Sequence, residues 1–328
     1  MKTKKLASSI IVISAIAVIQ LLTFSSCKQC SDQKSSEADS LKGTISISGA
    51  FAMYPMVIKW AEEYKKLRPN VRIDISAGGA GKGIADALSK IVDIGMVSRE
   101  ISPEEIAKGA WFIALTKDAV LPTICSKNPF LSQLKAKGLS KQKFIDIFIN
   151  NKYKTWGEVI DTKSKDKLTV YTRSDACGAA EMWAKFLDAK QENLKGVGVF
   201  GDPGIADALK KDKSGIGFNN VNYVFDCRTK NKYEGMEVIP VDLNDNKIID
   251  PDENFYGNLD GMINAIRDGK YPSPPARDLY FVSAGKPQSK VVIDFITWIL
   301  ADGQKFVTES GYVQMPEEKI KISMQKLN

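Results

Sequence analysis

Polar and apolar positions in the first third of the chain alternate between two periods. Residues 43–48 (GTISIS) place an isoleucine at every second position, which predicts a half-buried strand. The loop that follows opens at Pro55, which suits a first helical turn because its missing N–H has no partner there in any case. Met56, Ile58, Trp60, Tyr64 and Leu67 lie all round that helix and predict that it is well buried. Residues 71–76 (VRIDIS) form a second predicted strand, 77–83 (AGGAGKG) a glycine-rich turn, 84–90 a second helix and 91–98 (IVDIGMVS) a third strand. Strand, glycine-rich loop and helix recur without hairpin signals. That pattern predicts an α/β fold with mixed, mainly parallel sheets and helices on both faces. Ligands of such sheets collect at the carboxyl ends of the strands.

The same device returns later. Residues 119–126 (AVLPTICS) read as an apolar strand that carries the chain into a second block, with helical segments at 144–149 and from Trp156. There the strand 168–172 (LTVYT) runs into the loop 173–179 (RSDACGA) and a helix around 181–188. Further strands are predicted at 215–219, 238–243 and 278–283, and a last amphipathic helix at 291–300. No repeat of fixed period is present.

At the N-terminus, Lys2, Lys4 and Lys5 precede an apolar run from Ile10 to Leu22, and the small residues Ser25 and Ser26 stand before Cys27. This is a secretory-signal pattern, too short for a comfortable membrane span. It resembles a lipobox, with 1–26 removed, Cys27 lipidated, and 27–41 a flexible tether to a membrane.

Composition adds exclusions. With 46 basic and 39 acidic residues the formal charge is +7, and the three lysines of the signal segment bring the exported chain near +4. The lysines are scattered and not gathered with aromatics on one face, so no nucleic-acid partner is expected. The chain contains 0 histidines, which removes Ser-His-Asp and Cys-His catalysis and His-ligated zinc. No enzymatic activity, cofactor or metal is expected. Cys30, Cys125, Cys177 and Cys227 are too widely spaced to define a disulfide framework.

Three loops share one layout: 49–54, 78–83 and 175–179 each follow a strand, are rich in small residues and precede a helix. Helix N-termini present unpaired N–H groups and a positive dipole end, so several aimed at one cleft suit an anion. Arg173 adds a bidentate cation beside the third loop. AGGAGKG is not a nucleotide phosphate loop, because Ser76 and Gly83 stand where that motif needs glycine and a hydroxyl residue. Asp242, Asn244, Asn246, Asp250 and Glu253 carry the spacing of a calcium loop, but Lys247 replaces the required glycine. A polar surface loop ending at Pro251 accounts for the same residues; a structural calcium site is the alternative.

In sequence order, SGAFAMYPMVIKWAEEY (48–64), AGGAGKGIADAL, VDIGMVSRE (92–100), TRSDACGAAEMW (172–183), GIGFNNVNY (215–223), YPSPPARDLYFVSAGKP and ESGYV resemble the phosphate-binding components of bacterial phosphate ABC importers. These have the two-lobed type II periplasmic-binding-protein fold, with the ligand cleft between lobes. The resemblance implies a monomeric solute-binding protein at the cell envelope that hands phosphate or a similar small oxyanion to a membrane permease. Carried over position by position, the ligand residues fall on Phe51, Ala52, Ala80, Ser98 or Arg99, Arg173, Cys177, Gly178 and Ala179. The hydroxyl donors of the family's loops are replaced by Phe51, Ala80, Cys177 and Ala179. The family's carboxylate after the third strand, which accepts a proton from phosphate, gives way to Ser98 and Arg99, so weaker discrimination against sulfate is expected. Arg99 has a second reading, as a salt bridge to Glu100, Glu104 or Asp175 at the cleft rim.

The predicted lobes are 42–117 with 245–328, and an inserted 118–244, joined by two crossovers that act as a hinge. The alternative function is a sensory or scaffold lipoprotein of the same fold with altered or lost ligand binding.

Overall fold

The computed structural model describes residues 41–327. The predicted signal segment, Cys27 and all of the tether but Leu41 lie outside them.

The chain begins with β1 (Gly43–Gly49), α1 (Tyr54–Leu67), β2 (Val71–Ala77), α2 (Ala80–Leu88), β3 (Ile94–Val97) and the short α3 (Pro103–Ala107). A long strand, β4 (Ala110–Cys125), then crosses from one lobe to the other. In the second lobe follow α4 (Leu131–Lys137), β5 (Leu139–Ser140), α5 (Lys141–Phe148), α6 (Trp156–Val159), β6 (Thr169–Arg173) and α7 (Gly178–Phe186). Next come β7 (Val197–Val199), α8 (Gly201–Lys211), β8 (Gly215–Asn220), β9 (Met236–Val238), β10 (Val241–Asp242) and α9 (Leu259–Arg267). The chain returns through β11 (Ala276–Ala284) and closes with α10 (Lys290–Leu300), β12 (Val313–Gln314) and α11 (Glu317–Leu327).

The main sheet runs β2-β1-β3-β11-β4-β8-β6-β7. Within the lobes β1 pairs in parallel with β2 and β3, and β6 in parallel with β7 and β8. The crossover strands β4 and β11 pair antiparallel with each other and with β3 and β8. The sheet is therefore mixed: parallel where strand–loop–helix units stack, antiparallel where the chain passes between lobes. The sequence predicts a strand only over 119–126, whereas β4 already starts at Ala110.

Two hydrophobic cores flank the crossover. One contains Ile45, Ile47, Trp60, Met96, Phe281 and Phe295. The other contains Phe144, Phe148, Trp183, Ile216 and Phe218, with the Trp183 and Phe218 rings stacked 5.9 Å apart. Leu259, Met262 and Ile266 of α9 also pack in this second core, which continues to Ala276. Met56, Val57, Trp60 and Tyr64 are the buried side of α1, and the Trp60 indole donates to the Gly303 carbonyl at 2.9 Å. Losing such a buried aromatic typically costs about 3–5 kcal/mol.

Candidate functional site between the lobes

β1 ends at Gly49, whose carbonyl accepts from both Gly78 and Gly79 and so ties the first two loops together. A Cβ at Gly49 would stand 2.3 Å from the Met96 carbonyl oxygen, so only glycine lets β1 and β3 approach this closely. Gly79 (φ 90°) caps α2, and the helix N-terminus points at the loop between β6 and α7 in the other lobe. There the Gly81 N–H donates to the Ala176 carbonyl at 3.1 Å, and a Cβ at Gly79 would lie 2.9 Å from both Ala176 O and Asp175 Oδ2. Gly178, the first residue of α7, packs on Ser98, whose carbonyl oxygen would be 2.2 Å from an added Cβ. The N-termini of α2 and α7, one from each lobe, thus meet across the cleft.

Arg173 is the last residue of β6, and its side chain is 1% exposed. Its Nε and Nη2 donate to the two oxygens of Asp175 at 2.8 and 2.6 Å, and Nη1 donates to Asp202 Oδ2 at 2.5 Å. The Phe51 ring covers the guanidinium at 5.5 Å and meets Phe200 edge to face. The Phe51 carbonyl accepts from the Tyr223 hydroxyl of the second lobe at 3.1 Å. Burial works against the Arg173 charge, but Asp202 and Asp175 outweigh it and hold the pKa above the ordinary arginine value.

Cys177 caps α7 through its Sγ, which accepts from the Ala180 N–H at 3.4 Å. Burial pushes the thiol up to about 12, so it stays protonated. The Cys177 N–H donates to Gln191 Oε1 at 3.3 Å, and Gln191 Nε2 in turn donates to the Asp175 carbonyl at 2.7 Å.

Of the residues carried over from the resemblance, Phe51, Ser98, Arg173, Cys177 and Gly178 come together in this cleft, with Ala80 and Ala179 in the first turns of α2 and α7 and Ala52 beside Phe51. Ala52, Ala80, Ser98 and Ala179 are each at most 2% exposed. The Arg99 guanidinium is engaged by carboxylates: Glu105 at 2.6 and 2.8 Å and Glu181 at 3.0 Å. Neither is among the partners expected for it from sequence.

Sequence reasoning misses Asp202 and Tyr223, and assigns Asp175 to Arg99 where it pairs with Arg173. Asp175 is visible as the acidic residue two positions after Arg173. Asp202 carries only the signature of a helix start, an acidic residue before Pro203. Its meeting with Arg173 depends on where α8 lies against β6. Asp202 Oδ1 also accepts from the Asn220 N–H at 3.0 Å, and the Asn220 side chain accepts from Arg277, which pairs with Asp118 at 3.0 Å on the crossover strands. A run of buried polar contacts therefore joins the crossover strands to Arg173.

At the calcium-like loop, Asp242 accepts from the Asn246 and Lys247 N–H groups at 3.2 and 2.8 Å, and Glu253 from the Leu243 N–H at 2.9 Å. Among the described residues no group of three or more His, Cys, Asp or Glu side chains is arranged to hold a metal.

The chain matches the model of the PBP superfamily domain over residues 34–303. It is 26% identical to the phosphate-binding protein PstS of Methanocaldococcus jannaschii, with 87% of this chain and 86% of the relative aligned. It is 24% identical to the phosphate-binding protein PstS of Staphylococcus haemolyticus, covering 88% of this chain and 86% of the relative. A Clostridium perfringens structure with bound phosphate superposes with a TM-score of 0.68 at 21% identity, over 84% of this chain and 100% of that one, which shows a shared fold. The matched domain takes in both lobes and the crossover strands between them, and the chain belongs to the PBP superfamily.

Proposed function

We propose that the protein is the solute-binding component of an ABC importer, holding phosphate or a similar small oxyanion at Arg173 between its lobes and delivering it to a membrane permease. Export and a lipid anchor on Cys27 keep it at the cell envelope, where it acts as a monomer without catalysis. The relatives named for phosphate binding support this ligand class. The carrying observation is a buried arginine between helix N-termini contributed by opposite lobes. Together they supply the charge and N–H dipoles that an oxyanion needs.

Arg173 also bears two carboxylates, so the buried trio carries a net charge of −1. An anion entering here meets less repulsion if it brings a proton to donate to Asp175 or Asp202. Phosphate near neutral pH carries that proton and sulfate does not. The two aspartates supply the acceptor that Ser98 and Arg99 lack, and phosphate is favoured over sulfate. Calorimetric titration of residues 41–328 with phosphate, arsenate and sulfate tests this: phosphate and arsenate should bind and sulfate should bind weakly. Equal binding of sulfate contradicts the selectivity, and no binding of any of them contradicts the function.

A second reading, a sensory or scaffold protein with altered ligand binding, draws on the same site. Phe51, Ala80 and Ala179 bring no hydroxyl donor, and the Arg173 fork is engaged within its own lobe.

A further inference from the structure

Arg99 and Glu100 follow β3 in the first lobe, and Glu181 and Lys185 stand one helical turn apart on α7 in the second. They pair crosswise: Arg99 Nε with Glu181 Oε2 at 3.0 Å, and Glu100 Oε2 with Lys185 Nζ at 2.7 Å. The signs alternate along both segments, so a shift by one pair would set like charges against each other.

Arg99 is oriented before it reaches across. Glu105 grips its two terminal nitrogens, while Glu105 itself belongs to the capping box at the start of α3 and accepts from the Ser102 N–H at 2.9 Å. The Arg99 side chain is 13% exposed and that of Glu181 46%, so their pair is partly screened, and Glu100 with Lys185, 73% and 49% exposed, is a surface pair that contributes less. Between these pairs and the crossover strands the lobes leave a cavity of about 240 Å³, with Glu100, Met182, Lys185, Arg277 and Tyr280 in its wall. Glu100 and Lys185 form part of that wall, and their pair joins the two lobes beside the cavity.

We infer that Arg99 and Glu181, assisted by Glu100 and Lys185, form a latch that sets how readily the lobes close, and that these are positioning residues for ligand capture. The inference rests on the proposed function only in that closure accompanies ligand binding. Apparent affinity scales with the population of the closed form, so a weakened latch lowers affinity without touching the ligand.

The test has one readout without ligand and one with it. Residues 41–328 are labelled for energy transfer between the lobes, and the wild type is compared with Glu181→Lys, Lys185→Glu and the swap Glu100→Lys with Lys185→Glu. The latch predicts a wider interlobe distance in Glu181→Lys and Lys185→Glu, recovery in the swap, and convergence of all four in high salt. Phosphate affinity should fall about three- to tenfold in the single variants and return in the swap. Unchanged interlobe distances overturn the latch even if phosphate binds. Shifted distances with no phosphate binding by any form uphold the latch and contradict the proposed ligand.

Discussion

Asp202 and Arg173 meet 2.5 Å apart with both side chains 1% exposed, so the cation at the centre of the cleft is neutralised from within its own lobe. Burying an arginine requires such a partner, because an unpaired charge in a dry interior is far more costly than a paired one. On the proposed function, the same pairing would make anion binding selective, since a carboxylate left beside the ligand repels any oxyanion that has no proton to offer.

Asp202→Asn should separate these two effects. Arg173 keeps its fork to Asp175, so removing one carboxylate from the buried trio is expected to lower stability by about 1–3 kcal/mol in chemical denaturation. In the same variant sulfate affinity should rise relative to phosphate, read by calorimetry. A stability loss with an unaltered phosphate-to-sulfate ratio would show that Asp202 is structural only.

Restoring hydroxyl donors should strengthen phosphate binding. Ala80 opens α2 and Cys177 caps α7, and a charge-assisted hydrogen bond is worth about 1.5–3 kcal/mol. Ala80→Ser and Cys177→Ser are each expected to raise affinity about tenfold or more by titration. Cys177→Ser should also raise the melting temperature slightly, because serine is a strong N-cap.

Gly79→Ala should hinder closure. The added Cβ would stand 2.9 Å from two oxygens of the opposite lobe, on a backbone with φ 90° that alanine rarely adopts. Phosphate affinity is expected to fall at least tenfold, measured beside Gly257→Ala, where nothing lies within 4 Å and no change is expected.

The fold is legible in the sequence wherever a local signal suffices. Pro55 marks the start of α1 and the alternation 43–48 the strand β1, whereas the turn read over 77–83 conceals that α2 already starts at Ala80. The candidate anion loops are legible for the same reason: each places small residues between a strand and a helix. What stays hidden is set by tertiary placement. The first half of β4 stays hidden because its two halves face different cores. Asp202 looks like an ordinary helix-start acid until α8 is laid beside β6. Arg99 is legible as a cation at the cleft rim, but Glu181 lies 82 positions further on and becomes its partner only when the lobes meet.

Thiol chemistry offers a check on the closed interior. Cys125 and Cys177 are buried and Cys227 is half-buried, and burial holds the Cys177 thiol near 12. In native residues 41–328 a thiol reagent near pH 8 should therefore modify Cys227 alone, with all three reacting in denaturant. Rapid native labelling of Cys177 would show that the α7 N-terminus is open to solvent.

Arg173 carries the central claim, and the most direct test is calorimetric titration of phosphate into wild-type residues 41–328 and into Arg173→Gln and Arg173→Lys, with circular dichroism to verify the fold. The predicted result is saturable phosphate binding by the wild type, no measurable binding by Arg173→Gln, and strongly weakened binding by Arg173→Lys, which keeps the charge but loses the fork. Equal affinity in all three folded proteins, or no binding by the wild type, would contradict the account.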